Sequence, residues 1–270
     1  MKKIASIILF FAFVFSAGIN LVGCNLGPEI ETYGDFLYSI EPYDENGQHV
    51  NKKYAVQWLV RIQGLSEAGK EKENIVVPEY INGVKVKELG SKLIWGSGGE
   101  WESEKLQKVF IPFPVVMYMA IFARCNALKK IILLAHDTSA YQSDGSIYNS
   151  KGLIPVYFTS FHYSEEEYTT NFFASKLVEC YFSNISFWFN YDNAPNDGYY
   201  WIDDCSYGSR IKYIPESPVR DGYTFDGWYK QAECVNKWNF ELDTLPQAQY
   251  NEDNEEIYQE TKLYAKWIEN

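Results

Sequence analysis

The chain has 270 residues, a formal net charge of -12, and an aromatic content of 17% that includes 22 tyrosines. An acidic surface argues against nucleic acid and anionic lipid head groups as partners, so neither is expected. The aromatic load favours a β-rich extracellular protein, and the length suits one large or two small domains.

Lys2 and Lys3 precede an almost entirely apolar run from Ile4 to Leu21, the layout of a signal peptide. The run falls slightly short of the ~20 apolar residues a spanning helix needs, and polar Asn20 lies near its end. It closes on Leu21-Val22-Gly23-Cys24, which resembles the bacterial lipobox. The resemblance implies a signal peptide over residues 1–23, transfer of a diacylglyceryl group to the Cys24 sulfur, and cleavage before Cys24. Two acyl chains would support stable anchoring where one binds only marginally. The expected place of work is therefore the outer face of a bacterial membrane. An uncleaved membrane helix is the alternative. Loss of residues 1–23 removes Lys2 and Lys3 and no acid, which takes the charge to -14.

Residues 24–52 are polar and rich in turns, and read as a lipidated cysteine and tether leading into a first hairpin. Tyr54, Val56, Trp58, Val60 and Ile62 then alternate with Ala55, Gln57, Leu59 and Arg61, the period of a strand. Gly64 to Asn74 is a charged turn. Leu106, Val109 and Ile111 recur at one displacement as Leu128, Ile131 and Leu133, with a partial copy at Ile75-Val76-Val77-Pro78. Val109-Phe110-Ile111-Pro112, followed by Val115, Met119, Phe122, Cys125 and Leu128, resembles the BspA-type leucine-rich repeat over residues 74–134. The pattern departs from that family in having two to three units, Met119 at an isoleucine position, and an insertion around Gly96 to Trp101.

That resemblance implies a short leucine-rich repeat solenoid within residues 53–183. The Tyr54–Ile62 strand would cap one end and the Phe- and Tyr-rich residues 153–182 the other. Ser164 and Glu167 have capping-box spacing, which predicts a short helix from about Glu165. If Val109 and Ile111 face inward, then Lys108, Phe110, Lys130, Ile132 and Val76 face outward and are candidate binding residues. They form either an exposed row for a partner or a row covered by the flanking segments.

Residues 184–270 form a second module. Ile185, Phe187, Phe189 and Tyr191 alternate as a strand, and Asn196-Asp197-Gly198 marks a turn. Arg220-Asp221-Gly222-Tyr223-Thr224-Phe225-Asp226-Gly227-Trp228-Tyr229, then Trp238-Asn239-Phe240, then Leu263-Tyr264-Ala265-Lys266-Trp267, resemble the Listeria–Bacteroides repeat of internalin B-type over residues 185–268. The resemblance implies a small β-grasp-like domain of four strands, of a kind found in surface proteins. Gly222 and Gly227 suit tight turns. Tyr223, Phe225, Trp228, Trp238 and Trp267 read as its core, with an aromatic ligand platform as the alternative. The acidic stretch Asn251 to Glu260 departs from the family pattern and reads as a surface loop. The fold class expected is β-rich α+β, a short leucine-rich repeat solenoid followed by a small β-grasp-like sheet domain.

Signs of catalysis are missing. His49, His136 and His162 lack metal-ligand spacing, and His136-Asp137 has no accompanying nucleophile motif. Asp203-Asp204 reads as a solvated turn, since the calcium-loop pattern is missing. Cys125, Cys180, Cys205 and Cys234 form no C-x-x-C pair; Cys180 with Cys205 is a candidate disulfide, and buried free thiols are the alternative. We therefore expect no enzyme, metal or cofactor. The expected function is that of a cell-surface lipoprotein mediating protein or cell-surface interaction in an adhesion-like role through the repeat region. Glycan binding or nutrient capture by exposed Tyr and Trp is the second possibility.

Overall fold

The computed structural model describes residues 28–90, 101–118, 121–134, 142–143, 147–159 and 180–270. The signal segment, Cys24, residues 96–100 of the insertion, Met119, His136-Asp137, His162 and the Ser164–Glu167 capping box lie outside the described residues.

Glu31–Tyr33 (β1) and Phe36–Tyr43 (β2) form a hairpin, and β2 pairs antiparallel with Gln57–Leu65 (β3). Residues 31–52 thus belong to the folded body, and the tether expected to reach residue 52 ends before β1. A 3-10 turn, Lys52–Tyr54, leads into β3, with the Asn51 side chain accepting from the Lys53 N–H. Tyr54 therefore sits in that turn, and the alternation becomes strand only from Gln57. After β3 comes a single helical turn, Glu67–Lys70 (α1), capped by Ser66, whose Oγ accepts from the Gly69 N–H at 3.1 Å. Close packing requires the glycine: a Cβ on Gly69 would stand 2.1 Å from the Asp35 carbonyl oxygen.

The strands that follow are Asn74–Val76 (β4), Tyr80–Ile81 (β5), Val84–Leu89 (β6), Lys108–Ile111 (β7), Val116–Met117 (β8), Lys130–Leu133 (β9), Gln142–Ser143 (β10), Tyr148–Asn149 (β11), Gly152–Leu153 (β12), Val156–Phe158 (β13) and Cys180–Phe182 (β14). They sort into a first sheet ordered β1-β2-β3-β6-β8-β10, with β5 on β6, a parallel central sheet ordered β14-β13-β9-β7-β4, and a small β11–β12 hairpin. Between the first two sheets lies a core that includes Tyr38, Val60 and Ile62 from one side and Val109, Ile111, Ile131 and Leu133 from the other, with Trp101 and Phe122 among them.

The expected α+β class and leucine-rich repeat solenoid are corrected by this architecture. The described chain is nearly all β, and its α-helical content is the four-residue α1. Positions related by the sequence displacement pair in register, Val109 with Ile131 and Phe110 with Ile132. The segment after β7 is extended, however, because Pro112 and Pro114 bracket Phe113 and β-branched Val115 and Val116 follow. It pairs into the same sheet as the β2–β3 hairpin, so the units are parts of two shared sheets rather than a stack standing alone.

The C-terminal module is a four-stranded sheet of Ile185–Trp188 (β15), Tyr199–Asp203 (β16), Tyr223–Tyr229 (β17) and Thr261–Glu269 (β18), ordered β16-β15-β18-β17. Strands β15 and β18 run parallel at its centre. Gly222 turns the chain into β17 at φ +78°, whereas Gly227, at φ +132°, sits at a bulge inside β17 rather than in a turn. Trp228 and Trp238 are buried, and Tyr223, Phe225 and Trp267 are half-buried. The Arg220 guanidinium carbon lies 4.2 Å from the Tyr191 ring centre and 3.7 Å from that of Tyr223. These rings are thus engaged by their own module, which argues against an open aromatic platform there.

Candidate functional site: a tyrosine-lined cleft at the module junction

The second face of the central sheet sets the geometry. Side chains alternate along β7 and β9, so Phe110 and Ile132 point away from the first core. They meet the C-terminal module, where Phe110, Ile132 and Leu134 join Ile185, Phe187, Trp201 and Ile202 in one apolar cluster. The Phe110 and Trp201 ring centroids are 3.6 Å apart. Phe110 is 2% exposed and Ile132 is fully buried.

Of the two alternatives for the candidate binding residues, Phe110 and Ile132 stand in a covered row. Lys108 is buried and pairs with the buried Asp203 carboxylate, its Nζ 4.4 Å from the Tyr213 ring centre. Lys130 Nζ lies 3.7 Å from Asp203 and 3.6 Å from Asp204, and donates to the Asp204 carbonyl. Val76, on the outer strand β4, stays exposed. The row that could have met a partner instead docks the protein's own second module. Its sequence carried a usable signal, because Ile131-Ile132-Leu133-Leu134 runs apolar without alternation, the mark of a parallel strand covered on both faces. Asp203, expected in a solvated turn, is fixed at the end of β16 by Lys108.

Beside this junction opens a cleft of about 700 Å³. One wall is Tyr157 of β13 and Tyr181 and Phe182 of β14; the other includes Asp204, Tyr207, Tyr250, Glu256 and Tyr258. Parallel register places Tyr157 opposite Tyr181, so the two rings stack with centroids 5.5 Å apart and planes 29° from parallel. Tyr181 is 48% exposed, and Tyr250 and Tyr258 also face solvent.

Hydrogen bonds hold the walls. Asn184 Nδ2 donates to the Cys205 carbonyl at 2.7 Å, and the Cys205 N–H donates to Asn184 Oδ1 at 3.0 Å. The Tyr258 hydroxyl donates to the Ser183 carbonyl at 2.7 Å, and the Gln259 N–H donates to the Tyr207 hydroxyl at 2.7 Å. Glu256 and Tyr258 come from the acidic stretch that departs from the family pattern, and Tyr250 directly precedes it, so that departure was the available signal of the site.

Burial, and beyond it the Asp204 carboxylate, pushes the Tyr157 phenol above its ordinary range. Burial also raises the Asp204 carboxyl, against the pull of Lys130. The Cys205 thiol is pushed up to about 11, first by burial and then by Asp203. Cys125, Cys205 and Cys234 are free thiols, so the candidate bridge to Cys205 is not formed. Among the described residues no group of His, Cys, Asp and Glu is placed to hold a metal ion. His49 is distant in role: its Nε2 lies 2.9 Å from Glu41 at the first sheet.

The described residues thus form a nearly all-β chain with a ring-lined cleft between two docked modules. Residues 189–266 match the Listeria-Bacteroides repeat domain, within the module expected from residue 184. Domains of this family occur in surface or extracellular proteins, which suggests export. No curated protein matches the chain. The matched segment contributes one wall of the cleft, and the tyrosines of β13 and β14 come from outside it.

Proposed function

We propose that this chain is an exported lipoprotein, anchored through lipid on Cys24, that binds saccharide chains at the cell surface in the junction cleft. The observation that carries the reading is the stacked Tyr157–Tyr181 pair beside Asp204 and Glu256. Tyrosine faces offer a flat apolar surface to the C–H face of a sugar ring, and adjacent carboxylates accept hydrogen bonds from its hydroxyls. Among the described residues the cleft lining includes two carboxylates and no basic side chain, which favours neutral over acidic glycans.

A glycan array probed with the whole protein and with Tyr181→Ala tests the proposal. Binding to a neutral glycan should weaken about tenfold or more in the variant, ~1.4 kcal/mol. Equal binding by both forms would remove the cleft from consideration.

A further inference from the structure

Strand β3 presents Trp58, Val60 and Ile62 toward one side of the first sheet, with Val56 just before it. Val60 and Ile62 are buried in the core, but Val56 is 67% exposed and Trp58 46%. The sheet therefore projects past its own core at the end where β2 leaves and β3 enters. Ile40, opposite Val60, and Tyr54, just before β3, are exposed there too. Lys52 and Lys53 stand beside them, with Lys53 Nζ 4.6 Å from the Tyr54 ring centre. Trp, Tyr and Lys around an apolar surface is the side-chain set that settles at a membrane–water interface.

The direction of β1 says which surface covers this end. Glu31 pairs with Tyr38 antiparallel, so the chain before Glu31 runs toward the Pro42–Trp58 pair. That pair lies four residues beyond Tyr38 along β2, ~14 Å at strand rise. Cys24 is seven residues before Glu31, and an extended chain of that length reaches at most ~25 Å. Seven residues of chain are therefore long enough to let a lipid on Cys24 reach the same end of the sheet.

We propose that the end of the first sheet carrying Ile40, Tyr54, Val56 and Trp58 seats on the bilayer that holds the Cys24 lipid, fixing the orientation of the protein on the membrane. The inference rests on the lipid anchor proposed above. The test uses the full lipidated chain in phosphatidylcholine vesicles with and without brominated acyl chains, which quench nearby indoles, together with mass spectrometry of the Cys24 peptide. Of the eight tryptophans, Trp58 should account for most of the quenching, so Trp58→Phe should cut it by at least half. Quenching that is absent, or unchanged in Trp58→Phe, on a chain lipidated at Cys24 overturns the seat and leaves the anchor standing. An unlipidated Cys24 overturns both.

Discussion

Asp203 and Lys108 meet in the junction with side chains 2% and 9% exposed. A complete buried pair contributes little net stability, but removing one partner strands the other charge away from water. Asp203→Ala should therefore lower the unfolding free energy by ~3–5 kcal/mol in urea titration. Asp204→Ala, whose carboxylate is partly solvated, should cost less. The thiol of Cys205 gives a second residue-scale outcome. With its titration moved up to about 11, the reactive thiolate is the minor form below that pH. Alkylation by iodoacetamide should accelerate about tenfold per pH unit between pH 8 and 10. A rate already flat at pH 8 would contradict the burial described here. Neither role could be read from the sequence, since the partner of Asp203 is 95 residues away.

Strands β7 and β9 show how far an element can be read from its pattern. The recurrence of Val109 and Ile111 as Ile131 and Leu133 indicated which positions lie side by side, because equal displacement fixes register. The recurrence does not say that both faces are covered; the unalternating run Ile131 to Leu134 carried that signal, but not which module, folded from distant residues, does the covering. Ile132→Ser tests the difference. At an exposed site it would be nearly neutral, whereas here it should cost ~2–5 kcal/mol, as loss of a fully buried aliphatic does. Strand β3 gives a second case. Arg61 and Gln63, on the face opposite Val60 and Ile62, are buried as well. Arg61 Nε donates to Glu88 at 2.7 Å and Gln63 donates to Ser39 at 2.8 Å, so polar groups on neighbouring strands satisfy one another. Period alone cannot distinguish a solvated face from a mutually paired one. The Listeria–Bacteroides motifs were legible for another reason: their turns and rings lie close in sequence, and residues 189–266 match. The cleft was not, because Tyr157 and Tyr181 become neighbours only through the β13–β14 register.

At the scale of the whole molecule, the central sheet is a wall common to two cores. Removing the C-terminal module would expose Phe110, Ile132 and Leu134 and leave Lys108 without its partner. Calorimetry of the full chain should therefore record one cooperative transition, and Ile132→Ser should broaden or split it. Two well-separated transitions in the unaltered protein would mean that the modules fold independently.

The cleft takes one wall from each module, and this ties occupancy to docking by thermodynamic linkage. A ligand that touches both walls binds only the docked arrangement, so at a hundredfold excess over its Kd it would hold the modules together by ~2.7 kcal/mol. The relation is reciprocal. Asp203 is not among the cleft-lining residues, yet Asp203→Ala should weaken ligand binding by the fraction of molecules it undocks. A protein built this way would be most resistant to being pulled apart at the moment a ligand fills the cleft.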